Sequence, residues 1–263
     1  MNTVNQDIAD LFMNIETVSE TDTRYDKMTV SRCRKGLEYL EYDTRDVVSP
    51  DVPNTAEHNT HKSVTIRYWI FTRIQWWTFI RILDKISDKL TDLKIIGCNI
   101  DNKRFKDIMI VLKKYNLIKL LDLSENHITQ LSSIEYLTNL QELSLAFNDK
   151  IEDITSLSKL CKLKSLNLRV NLIQYLEPLS NLKELCKLDL SINQIVDISP
   201  LWKLKELKEL SLYANYKLQF IGQLSGLTQL TIINISQCDI RSLKYIERLQ
   251  KNLPQCQIIY DKN

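Results

Sequence analysis

Leu185-Cys-Lys-Leu188-Asp-Leu190-Ser-Ile-Asn193-Gln-Ile195 sets the frame for the chain: apolar residues at positions one, four and six, Asn at nine and Ile at eleven. Leu163, Leu166, Leu168, Asn171 and Ile173 repeat it. Between Ile118 and Ile240 the frame returns six times, with first positions at Ile118, Leu140, Leu163, Leu185, Leu207 and Leu230, so that successive steps are 22, 23, 22, 22 and 23 residues. A near-fixed period of this size signals a solenoid of stacked units, each packed on its neighbours, and not a globule around one central core.

Side chains alternate between the two faces of an extended segment, so positions four and six point one way and positions three, five and seven the other. The first face is core and the second is exposed. The second half of each repeat returns with apolar residues three apart, as in Ile195, Ile198, Leu201 and Leu204 or Ile173, Leu176, Leu179 and Leu182. That spacing predicts tight 3₁₀-like turns in preference to long α-helices. The Asn column (Asn126, Asn148, Asn171, Asn193, Asn215) falls where the chain leaves each strand. A buried amide there can satisfy backbone groups of adjacent turns. Cys98 and Cys238 take this position at the two ends, and the two longer steps come from one extra residue between Asn148 and Ile151 and between Asn215 and Leu218.

This frame resembles the leucine-rich-repeat family. Its 22-residue form, with Ile at position eleven and a three-spaced second half, is similar to the subclass found in phosphatase-regulatory subunits and bacterial internalins, over about Leu90 to Ile259. The resemblance implies an α/β fold: a solenoid or horseshoe with a parallel β-sheet on its concave face and short 3₁₀ or helical segments on its convex face. It implies a non-enzymatic protein–protein interaction scaffold. The alternative it implies is a regulatory subunit of a protein phosphatase, whose concave acidic and aromatic residues would make the contacts; Asp122, Glu142, Phe147, Asp189 and Tyr213 are of those types.

Composition narrows the function classes. With 35 basic and 33 acidic residues the formal charge is +2, so no global field points to nucleic acid or to an anionic membrane. The four glycines, Gly36, Gly97, Gly222 and Gly226, form no phosphate-binding loop. Six cysteines contain no C-x-x-C pair, and Met1 to Asp10 does not have the basic-then-apolar character of a secretory signal, which together predict reduced thiols and a cytoplasmic or nuclear location.

Along the chain we expect a helical or flexible N-terminal region with a polar linker over 1–63, an aromatic N-terminal cap over 64–89, leucine-rich repeats over 90–240 and a C-terminal cap over 241–263. Ile8, Leu11, Phe12 and Ile15, and later Leu37, Leu40 and Tyr42, have helical spacing, while His58 and His61 sit in the polar linker. Val64 to Leu83 carries Trp69, Trp76, Trp77, Tyr68, Phe71 and Phe79; its arginines oppose a membrane span, and its apolar even-numbered positions predict strand. Trp77, Ile80 and Ile82 fit the start of the repeat frame only 13 residues before Leu90, so the stretch reads as a strand-only cap or an imperfect repeat or, alternatively, as a contact surface. Arg104 to Tyr115 and Leu243 to Leu253 read as helices, with Cys256 and Ile258 in a last edge strand.

The exposed columns define the expected site. Position five contributes Asp122 and Asp189, position seven Arg169 and Tyr213, and position eight the apolar run Phe147, Val170, Ile192 and Ala214. With Glu142, these residues predict a rim that binds a protein partner, because Tyr and Arg beside apolar area make interface hot spots. Catalysis is not expected: Asp122 and Asp189 are three repeats apart, about 14 Å at ordinary strand spacing, and His127 has no nucleophile placed beside it. The sequence calls for no cofactor and no metal.

Overall fold

The computed structural model describes residues 41–43, 62–240 and 242–261. Among the described residues ten strands lie in sequence order in one open sheet. Strand β1 (Glu41–Asp43) runs antiparallel to β2 (Lys62–Arg67) at one edge. From β2 onward the sheet is parallel: β3 (Leu90–Ile96), β4 (Leu120–Asp122), β5 (Glu142–Ser144), β6 (Ser165–Asn167), β7 (Lys187–Asp189), β8 (Glu209–Ser211), β9 (Ile232–Asn234) and β10 (Gln257–Ile259). The register follows from the frame. Leu143, Leu166, Leu188 and Leu210, all at position four, stand opposite one another in successive strands and are buried. A slip of one residue would turn this whole column to water.

The return path is built from 3₁₀ turns at Ile134–Tyr136, Thr155–Lys159, Glu177–Asn181, Ser199–Lys203 and Gly222–Gly226. Their spacing of three is the hydrogen-bond period itself: Leu179 N–H donates to the Leu176 carbonyl at 2.9 Å, Leu182 to Leu179 at 3.0 Å and Leu185 to Leu182 at 3.1 Å. All four leucines are buried. Side chains at i and i+3 eclipse in a 3₁₀ turn, so three-spaced leucines stack on one side, facing the core. Pro178 and Pro200 sit in the first turn of two of these segments, where a missing N–H is harmless.

The Asn column closes the other end of each strand. Asn148 accepts from Ile128 N–H at 3.0 Å and donates to the carbonyls of Leu123 and Leu145 at 3.1 and 2.9 Å. Asn193 and Asn215 bridge successive repeats in the same way. At the ends, the Cys98 thiol donates to the Ile96 carbonyl at 3.2 Å and accepts from Trp69 N–H at 3.4 Å, and Cys238 donates to the Leu212 carbonyl at 3.2 Å.

The aromatic stretch departs from the sequence expectation. Only its first residues are strand; Arg73–Ile86 is a helix, α1, so Trp77, Ile80 and Ile82 do not start a repeat frame. The frame begins earlier: Val64 and Ile66 pair with Leu93 and Ile95, placing Val64, Ile66, Trp69 and Phe71 at positions four, six, nine and eleven. Helix α1 then occupies the same place in its unit as α2 (Asn102–Leu112) does in the next. Thr72 and Gln75 form a capping box at the start of α1, and Trp76, Phe79, Leu83 and Ile86 line its buried face at helical spacing. Period-two apolarity gives way from Arg73 on because Trp76, Phe79, Leu83 and Ile86 also stand at helical spacing, and the helix buries these four while leaving Trp77 exposed.

Helix α3 (Leu243–Asn252) precedes β10, as the spacing of Leu243 to Leu253 predicts. Tyr42 lies in β1, in strand and not in a helix. The helices expected before it, the polar linker and His58 with His61 fall outside the described residues.

Candidate protein-binding face

Short strands project positions three, five and seven onto the open side of the sheet. Position five does structural work there. Asp122 accepts from Ser124 N–H at 3.0 Å, Asn167 from Arg169 N–H at 3.1 Å, Asp189 from Ser191 N–H at 2.9 Å and Asn234 from Ser236 N–H at 3.0 Å. These Asx turns bend the chain away from the strand. Asp122 and Asp189 therefore spend one carboxylate oxygen on their own backbone, and the Ser124 hydroxyl also donates to Asp122.

Position eight follows that bend, and it carries a feature the sequence does not announce. Tyr68, Gly97, Glu125, Phe147, Val170, Ile192, Ala214 and Gln237 occupy this position in successive repeats, and every one has φ between 54° and 64°. The left-handed conformation suits glycine and costs an L-residue roughly 1–2 kcal/mol, with β-branched side chains the worst fitted. Val170 and Ile192 nonetheless hold it in adjacent repeats. Substituting Val170 by Gly is therefore expected to leave stability within about 1 kcal/mol of wild type, relief of strain offsetting lost contacts. Removing a neighbouring core residue, Leu168→Ala, should cost about 2–5 kcal/mol; urea denaturation of the two variants checks the contrast.

The apolar rim is uneven. Phe147 is 46% exposed, Val170 and Ile192 are half-buried, and Ala214 is 2% exposed. What gathers it into a patch is Arg169, whose guanidinium carbon lies 5.9 Å from the Phe147 ring and 5.9 Å from the Tyr213 ring. Phe147 belongs to the preceding repeat and Tyr213 to the second repeat on. Arg169 reaches across because the intervening repeat has Ser191 at position seven, small, fully buried and hydrogen-bonded through its hydroxyl to that of Ser211 at 2.7 Å. At position three Glu142 is exposed, and Lys187 pairs with Glu209 at 2.8 Å, a hydrogen bond that raises the lysine's pKa.

The structure thus brings Phe147, Arg169 and Tyr213 together with Val170 and Ile192 beside them. Asp122 lies two repeats before Arg169, held by Ser124. Tyr68, named in the sequence only as one aromatic of Val64 to Leu83, falls at position eight of the first unit. Its ring lies over Gly97, where a Cβ would stand 2.5 Å from it, and its pKa is raised by burial and by a hydrogen bond to Glu125. Its frame position becomes visible only once Val64 and Ile66 are aligned with Leu93 and Ile95.

Among the described residues no group of three or more His, Cys, Asp or Glu could hold a metal ion. Burial pushes the Cys98 thiol up to about 12 and that of Cys238 to about 11, so both are protonated at neutral pH and poor nucleophiles. His127 contacts Asn99 at 3.2 Å. No helix among the described residues is long and apolar enough to cross a membrane.

Comparison with known proteins agrees with the fold. Residues 118–159 and 183–225 match the family model for leucine-rich repeats in two copies. No curated protein matches the chain by sequence. Among solved structures the chain is similar to internalin C2 of Listeria monocytogenes, at 24% identity and a TM-score of 0.63, covering 76% of this chain and 80% of that one. It is also similar to an internalin (inlF) of the same organism, at 21% identity and a TM-score of 0.56 over 89% and 75% of the two chains. A leucine-rich-repeat protein of Leptospira interrogans matches at 23% identity and a TM-score of 0.51, over 69% of this chain and 56% of that one. The recurring frame, the open parallel sheet with its 3₁₀ returns and the family model matching 118–159 and 183–225 give this chain a leucine-rich-repeat fold.

Proposed function

We propose that the protein is a non-enzymatic scaffold that binds a folded protein partner on its concave face, with Phe147, Arg169, Val170, Ile192 and Tyr213 at the centre of the contact and Asp122, Glu142 and Asp189 around it. The observation that carries this reading is the position of the Arg169 guanidinium between two aromatic rings on an otherwise small and polar surface. Tyr, Arg and partly buried apolar groups are the residue types that dominate interface energetics, at about 2 kcal/mol or more for each central one. The strained Val170 and Ile192 add support, since a side chain kept at an unfavourable φ points to use of its surface. Unpaired Cys98, Cys161, Cys186, Cys238 and Cys256 support a reducing, cytoplasmic setting.

The test is capture of partners from native cells on tagged protein and on a variant carrying Phe147→Ala, Ile192→Asp and Tyr213→Ala. The variant should fold, because Asp tolerates the left-handed conformation better than Ile, and circular dichroism checks that. Loss of specific partners, with affinity falling about 100-fold or more, is the expected result. Full retention of all partners would reject the concave patch. A phosphatase catalytic subunit as the partner rests on the resemblance of the repeat form; phosphatase activity captured by the wild type and not by the variant would support it.

A further inference from the structure

We propose that Arg169 receives a single carboxylate from the partner, supplied by an Asp or Glu side chain that stands among apolar residues. This inference rests on the reading of the concave patch as the binding face.

The argument starts from what Arg169 lacks. The ion pairs among the described residues join Lys114 to Asp84, Lys187 to Glu209 and Lys203 to Glu177, and Arg169 is in none of them. The acceptors nearest in the frame are turned elsewhere: Asn167 takes the backbone N–H of Arg169, and Asp189 takes that of Ser191. A guanidinium carries five N–H donors in a planar fork that fits a carboxylate through two parallel hydrogen bonds. Here it is half-buried between Phe147 and Tyr213, which hold it in place and thin the water around it. Little side-chain freedom remains to be lost on pairing, and screening is weaker than at an open surface.

The surroundings select a single negative charge. Lys187, the next cation on this face, is occupied by Glu209, while Glu142, Asp122 and Asp189 repel any further anion. Recognition of a phosphate dianion or an acidic run draws on clusters of cations, whereas Arg169 stands apart from the remaining cations of this face, Arg67 in β2 and Lys94 in β3, which are four and three strands away from β6. Phe147, Val170 and Ile192 beside it favour apolar neighbours on the partner.

A random peptide library displayed on phage and panned against the full chain provides the probe. The selected peptides should share one acidic position flanked by apolar residues. Their affinity should fall about tenfold or more in Arg169→Gln, and by less in Arg169→Lys, which keeps charge without the fork. Changing the peptide's Glu to Gln should cost the same on wild type and nothing further on Arg169→Gln. Peptides that need Phe147 and Tyr213 but lack an acidic position, or ignore Arg169→Gln, would overturn this inference and leave the binding face standing. Tighter binding when phosphoserine replaces the acid would overturn it in favour of phosphate. Peptides indifferent to Phe147→Ala, Tyr213→Ala and Arg169→Gln alike, or no selected peptide at all, would overturn both.

Discussion

Replacing Asn148 with Ala should lower stability by about 3 kcal/mol, and the loss should be centred on two repeats. Asn148 is fully buried and is, among the described residues, the one partner of the Ile128 N–H, which the substitution would orphan inside the core. A buried donor left without a partner costs about 1–3 kcal/mol. The three carbonyls it serves fare better: Leu123 also accepts from Asn126, Leu145 from Asn171 and Ala146 from the Glu125 N–H, so each keeps one bond. The small void left by the shortened side chain adds about 1 kcal/mol. Asn148→Leu separates the terms, since it fills the space and still orphans Ile128. Urea unfolding of both variants, with native-state hydrogen exchange at Ile128, checks the account. Exchange at Ile128 unchanged in both would refute the bridging role. A thiol is tolerated at the ends because Cys98 and Cys238 each serve a carbonyl where the stack of Asn side chains runs out.

The same column explains how much was legible in advance. Positions four, six, nine and eleven are dictated by burial, and burial repeats with the period, so Leu188, Leu190, Asn193 and Ile195 announce the sheet, its register and the 3₁₀ returns. The first unit hid itself because Trp69 and Phe71 stand where Asn and Ile stand elsewhere, although Thr72 and Gln75 offered a capping box that marks the start of α1. At the candidate site the residue types were readable and their grouping was not. The reach of Arg169 to Tyr213 depends on the smallness of Ser191 in another repeat and on a rotamer, neither of which a periodic pattern encodes. The left-handed turn at position eight was equally silent, since Phe147, Val170 and Ile192 are residues that ordinarily avoid it.

Trp76→Ala is expected to cost about 3–5 kcal/mol, the usual range for removing a buried aromatic, and to act on one end of the molecule only. Trp76 packs edge-on to Phe71 at 5.3 Å and lies 5.6 Å from Phe79, while its indole N–H donates to Asp107 of α2 at 2.9 Å. Arg104 stacks 5.2 Å from the same ring and donates to the Phe71 carbonyl at 2.9 Å. One side chain therefore ties α1, the strand exit at Phe71 and α2 together. In a globule such a loss would be shared by the whole fold; in a solenoid each unit rests only on its neighbours, so the damage should stay between β2 and α2. Hydrogen exchange should accelerate over 62–112 and remain near wild type from β5 to β10. Trp76→Phe, which keeps most of the ring area and loses the bond to Asp107, should cost about 1–2 kcal/mol. Uniform acceleration across all repeats would show that the aromatic unit is integral to one cooperative fold, whereas confinement would establish it as a separable end that shields the first leucine layers from water.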